Sequence, residues 1–396
     1  MDIAQSSRQA RMRSRARRAE AEAASLARRV DWVLLGSVAA LVAYGLIAIR
    51  GITLHDVAGN PHYYLVRQLV FVAVGLVAML ATTLLDPDLY WRFGRVIYVG
   101  TIGLMAFIYV AGPVTRGSRR WIELGFFRFQ PSEFGKLLFV LFLAGYLADR
   151  SRRVAEGDRR TTLKAIGLAA LPVGLVFLQP DFGTALVYAA ALAGVLFVAG
   201  TRWTHLAVIG LVALVAALSV LWILPATGMH VLKPYQQQRL VGFTNPSSDP
   251  SGSTYNVNQA RIAVGSGGLK GRGVQGATQT ELDYLPEHAT DFVFASLAEQ
   301  RGFVGATILL LLYLLVVWRG LRIVTVARDA FSSIAAGGVV VAFLFQVFVN
   351  VGMTMGIAPI TGIPLPFVSV GGSSMIANLA AMGVLLAINA RSRRRP

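Results

Sequence analysis

The sequence contains no cysteine. Disulfides and thiolate metal sites are therefore excluded. Its five histidines are scattered, without the HExxH or paired spacing of a zinc centre. Charge is also scarce. Only 14% of the 396 residues are Asp, Glu, Lys or Arg, against about a quarter in soluble domains, too few to cover a water-facing surface. No Walker A sequence occurs, and Gly271, Gly273 and Gly276 match GxGxxG in letters only, since no βαβ unit surrounds them. A cleavable signal peptide is lacking too: about thirty mostly polar, Arg-rich residues precede the first apolar run, with no small-residue cleavage site.

What is present is apolar sequence in long runs, with 55% of all residues hydrophobic. Ten runs are legible, at 32–50, 65–85, 96–113, 132–148, 163–178, 182–200, 203–224, 292–318, 331–357 and 365–390. About 20 such residues cross a bilayer core of about 30 Å as a helix. The expected fold class is an all-α polytopic membrane protein of about ten transmembrane helices with one large extracytoplasmic loop, about 225–290. Residues 1–31 form a basic tail, 32–391 the transmembrane domain and 392–396 a basic end.

Basic residues orient the domain. The tail, the segment Arg150 to Lys164, Arg202, the segment Arg319 to Arg328 and the end Arg391 to Arg395 share one side in this count. That side is cytoplasmic by the positive-inside rule, and an even number of spans puts both termini there. The net charge of +17 is accordingly assigned to an anionic membrane face rather than to nucleic acid. Two outer segments are nonetheless basic: Arg116 to Arg128, and the long loop with Lys233, Arg239, Arg261, Lys270 and Arg272. They are either tolerated by snorkelling and loop length or form an outward site for an anionic lipid headgroup such as a pyrophosphate.

Polar motifs punctuate the ends of the runs. In Gln130-Pro131-Ser132-Glu133-Phe134-Gly135-Lys136, Pro131 and Ser132 suit a helix start. Glu133 and Lys136 are then neighbours at the mouth of an apolar span, either a structural ion pair or, for Lys136, a phosphate contact. Gln179-Pro180-Asp181 is a helix break where Asp181 either caps the next helix or lines a cavity. The stretch Gly265 to Gly273 is either a flexible outer loop or an anion-binding nest beside Lys270 and Arg272. Asp291 stands where a hydrophobic run begins, either as a cap or as a carboxylate that partial desolvation tunes as a general base. Asn350 and the Pro/Gly-rich stretch Ile360 to Ser374 mark irregular backbone between two spans, tolerated only where protein or a cavity surrounds it.

QPSEFGK, QPDFGTAL, YQQQRL, AVGSGGLKGRG, LPEHATDFVFA and TGIPLPFVSVGGSS together resemble, in order over about residues 32–390, the signatures of the SEDS family (shape, elongation, division and sporulation). FRFQPSEF and GIPLPF are more similar to its RodA branch than to its FtsW branch. One departure is Val370, where the family pattern carries an aromatic residue.

The resemblance implies a SEDS fold and a peptidoglycan glycosyltransferase of the bacterial cytoplasmic membrane, active in cell elongation. It also implies lipid II as substrate and a class B penicillin-binding protein as partner. Asp291 becomes the essential carboxylate and general base of an inverting displacement whose leaving group is a lipid pyrophosphate. Lys136, Arg120, Arg239 and Lys270 become candidate pyrophosphate contacts, with Glu133, Gln259 and Ser369 as further substrate-side candidates. No cofactor is required, although a divalent cation, Mg or Mn, would suit the leaving charge. The rival reading is a flippase for the same lipid. It would place polar residues through the full bilayer depth, whereas here they cluster at the outer ends of spans, and no inverted repeat is evident.

Overall fold

The computed structural model describes residues 29–113, 118–125, 127–219 and 253–392. In chain order these form α1 (Trp32–Ile52), α2 (Tyr63–Leu84), α3 (Pro87–Arg92), α4 (Gly94–Ala111), β1 (Ile122–Leu124), β2 (Phe127–Phe129), α5 (Pro131–Ala148), α6 (Ser151–Ala155), α7 (Arg159–Leu178), α8 (Phe182–Val198), α9 (Trp203–Leu218), α10 (Ser253–Ser266), α11 (Thr278–Glu281), α12 (Val293–Val326), α13 (Ala330–Thr354) and α14 (Gly372–Ser392). Eight of these helices are long and apolar enough to cross a membrane, and α8 and α9 are shorter apolar helices. They coincide with the ten apolar runs. Residues 1–28 of the tail, Arg239 and the last four residues lie outside the described residues.

Aspartates start several helices. Asp31, Asp158, Asp181 and Asp329 each occupy an N-cap and accept a backbone N–H of the first turn, satisfying a donor the helix itself cannot. Two sequence expectations of this kind change. At α5 the N-cap is Gln130 with Pro131 at the first position, while the Ser132 hydroxyl accepts the Gln130 side-chain amide at 3.1 Å instead of capping. At α12 the N-cap is Phe292, one residue after Asp291, and carries no side-chain cap bond.

α14 is buried along nearly its whole length and packs on α2, α5, α12 and α13. Small residues allow close approach: Thr82 and Thr83 of α2 donate to the carbonyls of Ala380 and Gly383 at 3.0 and 3.2 Å. At one end of the bundle the described chain ends meet. The Asn389 amide donates to the Arg29 carbonyl at 3.1 Å, and Arg319 of α12 forms a buried ion pair with Asp31.

Three boundaries differ from the apolar runs. The last helix begins at Gly372 rather than 365, because Pro364, Pro366 and the left-handed Phe367 (φ 68°) cannot continue a helix. α12 continues to Val326 and breaks at Gly302 (φ 67°, ψ −165°). Part of the long loop is helical as well, α10 being too polar in sequence to show as a span. The glycine-rich stretch after α10 docks by its backbone into the break in α12: Arg272 and Gly273 donate to Glu299 and Gln300 at 2.9 and 3.0 Å, and Phe303 and Val304 donate back to Gly268 and Leu269. Only glycines fit there. A Cβ on Gly271 would lie 2.2 Å from the Gln300 oxygen, and one on Gly302 2.2 Å from the Gly271 nitrogen.

Candidate active site

The stretch 355–371, between α13 and α14, is the hub of the outer polar groups. It touches the Asp291 turn on one side and the α5–α8 corner on the other. Toward Asp291 the contacts are backbone-directed. The Asn350 side-chain amide bridges two carbonyls, Asp291 and Ile363, each at 2.8 Å. The Ser369 hydroxyl donates to the Thr290 carbonyl at 2.5 Å and accepts the Leu365 N–H at 2.8 Å. The Val370 N–H donates to Ala289 at 3.0 Å. Gln68 of α2, fully buried, donates to the Ser369 carbonyl at 3.1 Å and accepts the Gly371 N–H at 3.3 Å. Residues 289–291 are thus fixed through their carbonyls, and the Asp291 side chain is partly exposed at the mouth of α12.

Toward the α5–α8 corner the contacts are ionic. Lys136 and Glu133 form an ion pair of 2.9 Å, with only 7% and 3% of each residue exposed. The lysine uses one donor on Glu133, so two of its three remain for a ligand. Asp181 accepts the Gln130 amide at 2.7 Å and lies 3.5 Å from the Arg120 guanidinium, which stacks on Trp121. Asp181 therefore caps α8, one of the two roles its sequence left open, and also faces a cation. The short hairpin β1–β2 carries this corner to the hub: Ser373 accepts the Gln130 N–H at 2.9 Å and donates to the Arg128 carbonyl at 2.9 Å. At the hub itself, Gly183 of α8 abuts Thr361 and Ile363 so closely that a Cβ would meet the Thr361 oxygen at 2.5 Å.

The hub thus holds Ser369 against the Asp291 turn, while Glu133, Lys136 and Arg120 belong to the α5–α8 corner, which meets the hub at Gly183. Ser369 holds backbone rather than presenting a free hydroxyl. Lys270 and Gln259 are placed otherwise. Gln259 is half-buried on α10. Lys270 is exposed on the loop docked against Glu299 to Val304, about two helical turns along the chain from Asp291. The anion nest expected there does not form from Gly271, Arg272 and Gly273, because their N–H groups are bonded to Gly267, Glu299 and Gln300. Among the described residues no cluster of three or more His, Asp or Glu is arranged to hold a metal.

Sequence reasoning gave no role to Gln68, Gln130 or His288. Gln68 had a signal, being a polar side chain within an apolar span. For His288, whose partner Asp56 lies 232 positions away, nothing local pointed to the pairing.

Known proteins similar to this chain match it over most of its length. The family model for FtsW, RodA and SpoVE, described as cell cycle proteins, matches residues 31–394. Peptidoglycan glycosyltransferase MrdB of Escherichia coli (strain K12) is 36% identical over 91% of this chain and 94% of its own length. Stage V sporulation protein E of Bacillus subtilis (strain 168) is 36% identical over 84% of this chain and 89% of its own. Among solved structures, a chain of a peptidoglycan synthase complex that coordinates polymerization and crosslinking superposes with a TM-score of 0.76 at 32% identity, covering 92% of this chain and 99% of that one. The rod shape determining protein RodA of Thermus thermophilus gives 0.68 at 30% identity, covering 93% and 98%.

Proposed function

We infer the reaction from one premise: the chain belongs to the FtsW, RodA and SpoVE family of cell cycle proteins, the SEDS proteins, and is a peptidoglycan glycosyltransferase with the SEDS fold, a multi-pass protein of the bacterial inner membrane. The proposed substrate is lipid II, and the proposed setting is cell elongation, following the RodA-like motifs. A class B penicillin-binding protein is the proposed partner, in keeping with the similarity to a chain of a peptidoglycan synthase complex.

The proposed chemistry is a single inverting displacement. The acceptor sugar hydroxyl attacks the anomeric carbon of the donor, the bond to the lipid pyrophosphate breaks, and Asp291 takes the hydroxyl proton. The observation that carries this reading is the mounting of Asp291. Asn350, Ser369 and the Val370 N–H hold its turn by the backbone carbonyls of residues 289–291, which fixes the position from which a base would act. Fixed geometry is what converts an encounter into a near-attack arrangement. No second carboxylate is needed as acid, unlike glycoside hydrolysis, because a pyrophosphate leaves without full protonation. Lys136 and Arg120 are proposed to receive its charge, with Arg239 and Lys270 as candidates on the long loop. A divalent ion would find no protein-only cage among the described residues and would be held chiefly by the pyrophosphate oxygens.

The proposed orientation places both termini in the cytoplasm and residues 225–290 outside. The contact between Asn389 and Arg29, beside two Arg-rich ends, supports it. The deciding experiment is polymerisation of lipid II by the purified protein and by Asp291→Asn. Asn keeps the shape and caps helices about as well, but it takes no proton. A variant that still polymerises at a near-normal rate would sink the assignment.

A further inference from the structure

The turn that carries Asp291 is held on its other side by a histidine. His288 is buried, with 9% of its surface exposed. Its Nε2 lies 3.0 Å from the Asp56 carboxylate in the stretch between α1 and α2, and its Nδ1 lies 3.1 Å from the Leu285 carbonyl. A carbonyl only accepts, and so does an ionised carboxylate. Both contacts are bonds only when both ring nitrogens carry a proton, so the geometry selects the imidazolium paired with Asp56. The neighbouring residue pair repeats the arrangement, with His55 bonded to Glu281. Two reciprocal histidine–acid pairs therefore fasten residues 55–56 to the segment that leads into Asp291.

We propose that His288, held as a cation by Asp56, is a positioning residue that sets where the Asp291 carboxylate stands, and that loss of its proton sets the alkaline limit of polymerisation. The coupling is short and runs through backbone. Glu287 holds a left-handed conformation (φ 53°), and its carbonyl receives the N–H groups of Thr290 and Phe292 at 3.1 and 3.2 Å. The His288 carbonyl receives the Ser296 hydroxyl of α12 at 3.3 Å. A shift of His288 therefore turns the segment on which Asp291 is mounted. Once neutral, the ring keeps one N–H, and one of its two nitrogens faces an oxygen lone pair to lone pair.

Charge supports the arrangement. Burial alone would push the His288 pKa down, but the Asp56 hydrogen bond and charge, the Leu285 carbonyl and the Asp283 carboxylate at 3.8 Å outweigh it, leaving it raised above 6.5. Asp56, from the stretch between α1 and α2, and Asp283, from the turn of His288 itself, are the charged groups that act on the ring. Glu281 is engaged by His55.

The inference rests on Asp291 being the base, and the experiment separates the two. Full-length protein is assayed with lipid II for kcat and KM from about pH 5 to about pH 9, which brackets histidine titration. The wild type should lose kcat on an alkaline limb above 6.5. In His288→Gln the plateau kcat should drop roughly tenfold to a hundredfold, the scale of a small misplacement near the chemistry, with KM little changed and the alkaline limb gone. Asp56→Asn keeps an acceptor but removes the charge that raises the histidine, so its limb should move to lower pH. Asp283→Asn, at a carboxylate 83% exposed, should move it less. A packing role alone would lower activity evenly and leave the limb in place. A limb unmoved in both His288→Gln and Asp56→Asn overturns the proposal, and if the glutamine variant does not fold, the direction of the asparagine shift decides alone. Asp291→Asn in the same assay should be inactive at every pH. Activity there removes the base assignment, whereas an inactive Asp291→Asn with an unmoved limb removes only the role of His288.

Discussion

The two sides of the hub hold charge in opposite ways. On the face of the Asp291 turn toward the hub the fastening groups are neutral (Asn350, Ser369 and Gln68), and they grip backbone carbonyls and amides. At the α5–α8 corner each cation faces an acid: Lys136 with Glu133, and Arg120 with Asp181. The difference follows from what each side must do. On the proposed reading the Asp291 side carries a base, and grips on its backbone fix where it stands without adding a charge of their own. Lys136, proposed to meet an anionic ligand, has a different problem, since without a counter-charge the burial of a cation costs several kcal/mol. Glu133 supplies that counter-charge to Lys136, as Asp181 does to the partly exposed Arg120.

The sharpest way to break this comparison is Asp291→Asn. The neutral side should lose its chemistry and keep its fold: a fall of about a hundredfold to ten-thousandfold in glycan synthesis, typical of general-base loss, with an unchanged thermal midpoint. Glu287→Ala is the control and should cost far less, as measured by the same lipid II assay.

Next in size is the ionic side. Lys136→Met strands Glu133 in a buried site, and removing one partner of such a pair costs about 3–5 kcal/mol. The double variant Lys136→Met, Glu133→Gln should recover most of that stability in thermal unfolding yet stay inactive. Recovered activity would show that the lysine serves packing only.

Asn350→Ala should fall between fold and function. It removes the bridge between Asp291 and Ile363 and leaves two buried carbonyls short of a donor, worth about 1–3 kcal/mol each. We expect reduced kcat with little change in KM, measured against the thermal midpoint.

A smaller effect tests the His288–Asp56 fastening through stability. A histidine whose folded pKa is raised stabilises fully below its unfolded value, near 6.5, and that stability is lost as pH rises through the folded value. The thermal midpoint of the wild type should therefore decline by a few degrees above neutral pH, and that of His288→Gln should not follow it.

The smallest effect is expected at Val370. The family pattern has an aromatic residue there, but the contact made is through the backbone, Val370 N–H to Ala289. Its side chain is partly buried against the core, and Val370→Tyr, which leaves the backbone contact in place, should keep activity within about twofold, a change of about 0.4 kcal/mol, in the same polymerisation assay.

Much of this was legible from sequence for a simple reason. A bilayer demands about twenty apolar residues per span and internal satisfaction of every backbone bond, so length and hydropathy locate the helices without reference to their neighbours. The same demand makes polar residues conspicuous, which is why Glu133, Lys136, Asp181 and Asp291 stood out as candidates before any fold was in view. What no local pattern carries is pairing. Gln68 meets Ser369 across 301 positions, Asn350 meets Asp291 across 59, and Asp56 meets His288 across 232. Gly271, whose stretch read as a flexible loop or an anion nest, turns out to join Gly302, which sequence reasoning did not single out, in a backbone-to-backbone dock. Hydropathy is a property of each segment alone, and so the sequence determined which segments enter the membrane and which residues are out of place there. A hydrogen bond needs two groups within about 3 Å, so only the tertiary packing of α2, α12, α13 and the 355–371 hub decided which of those residues hold one another.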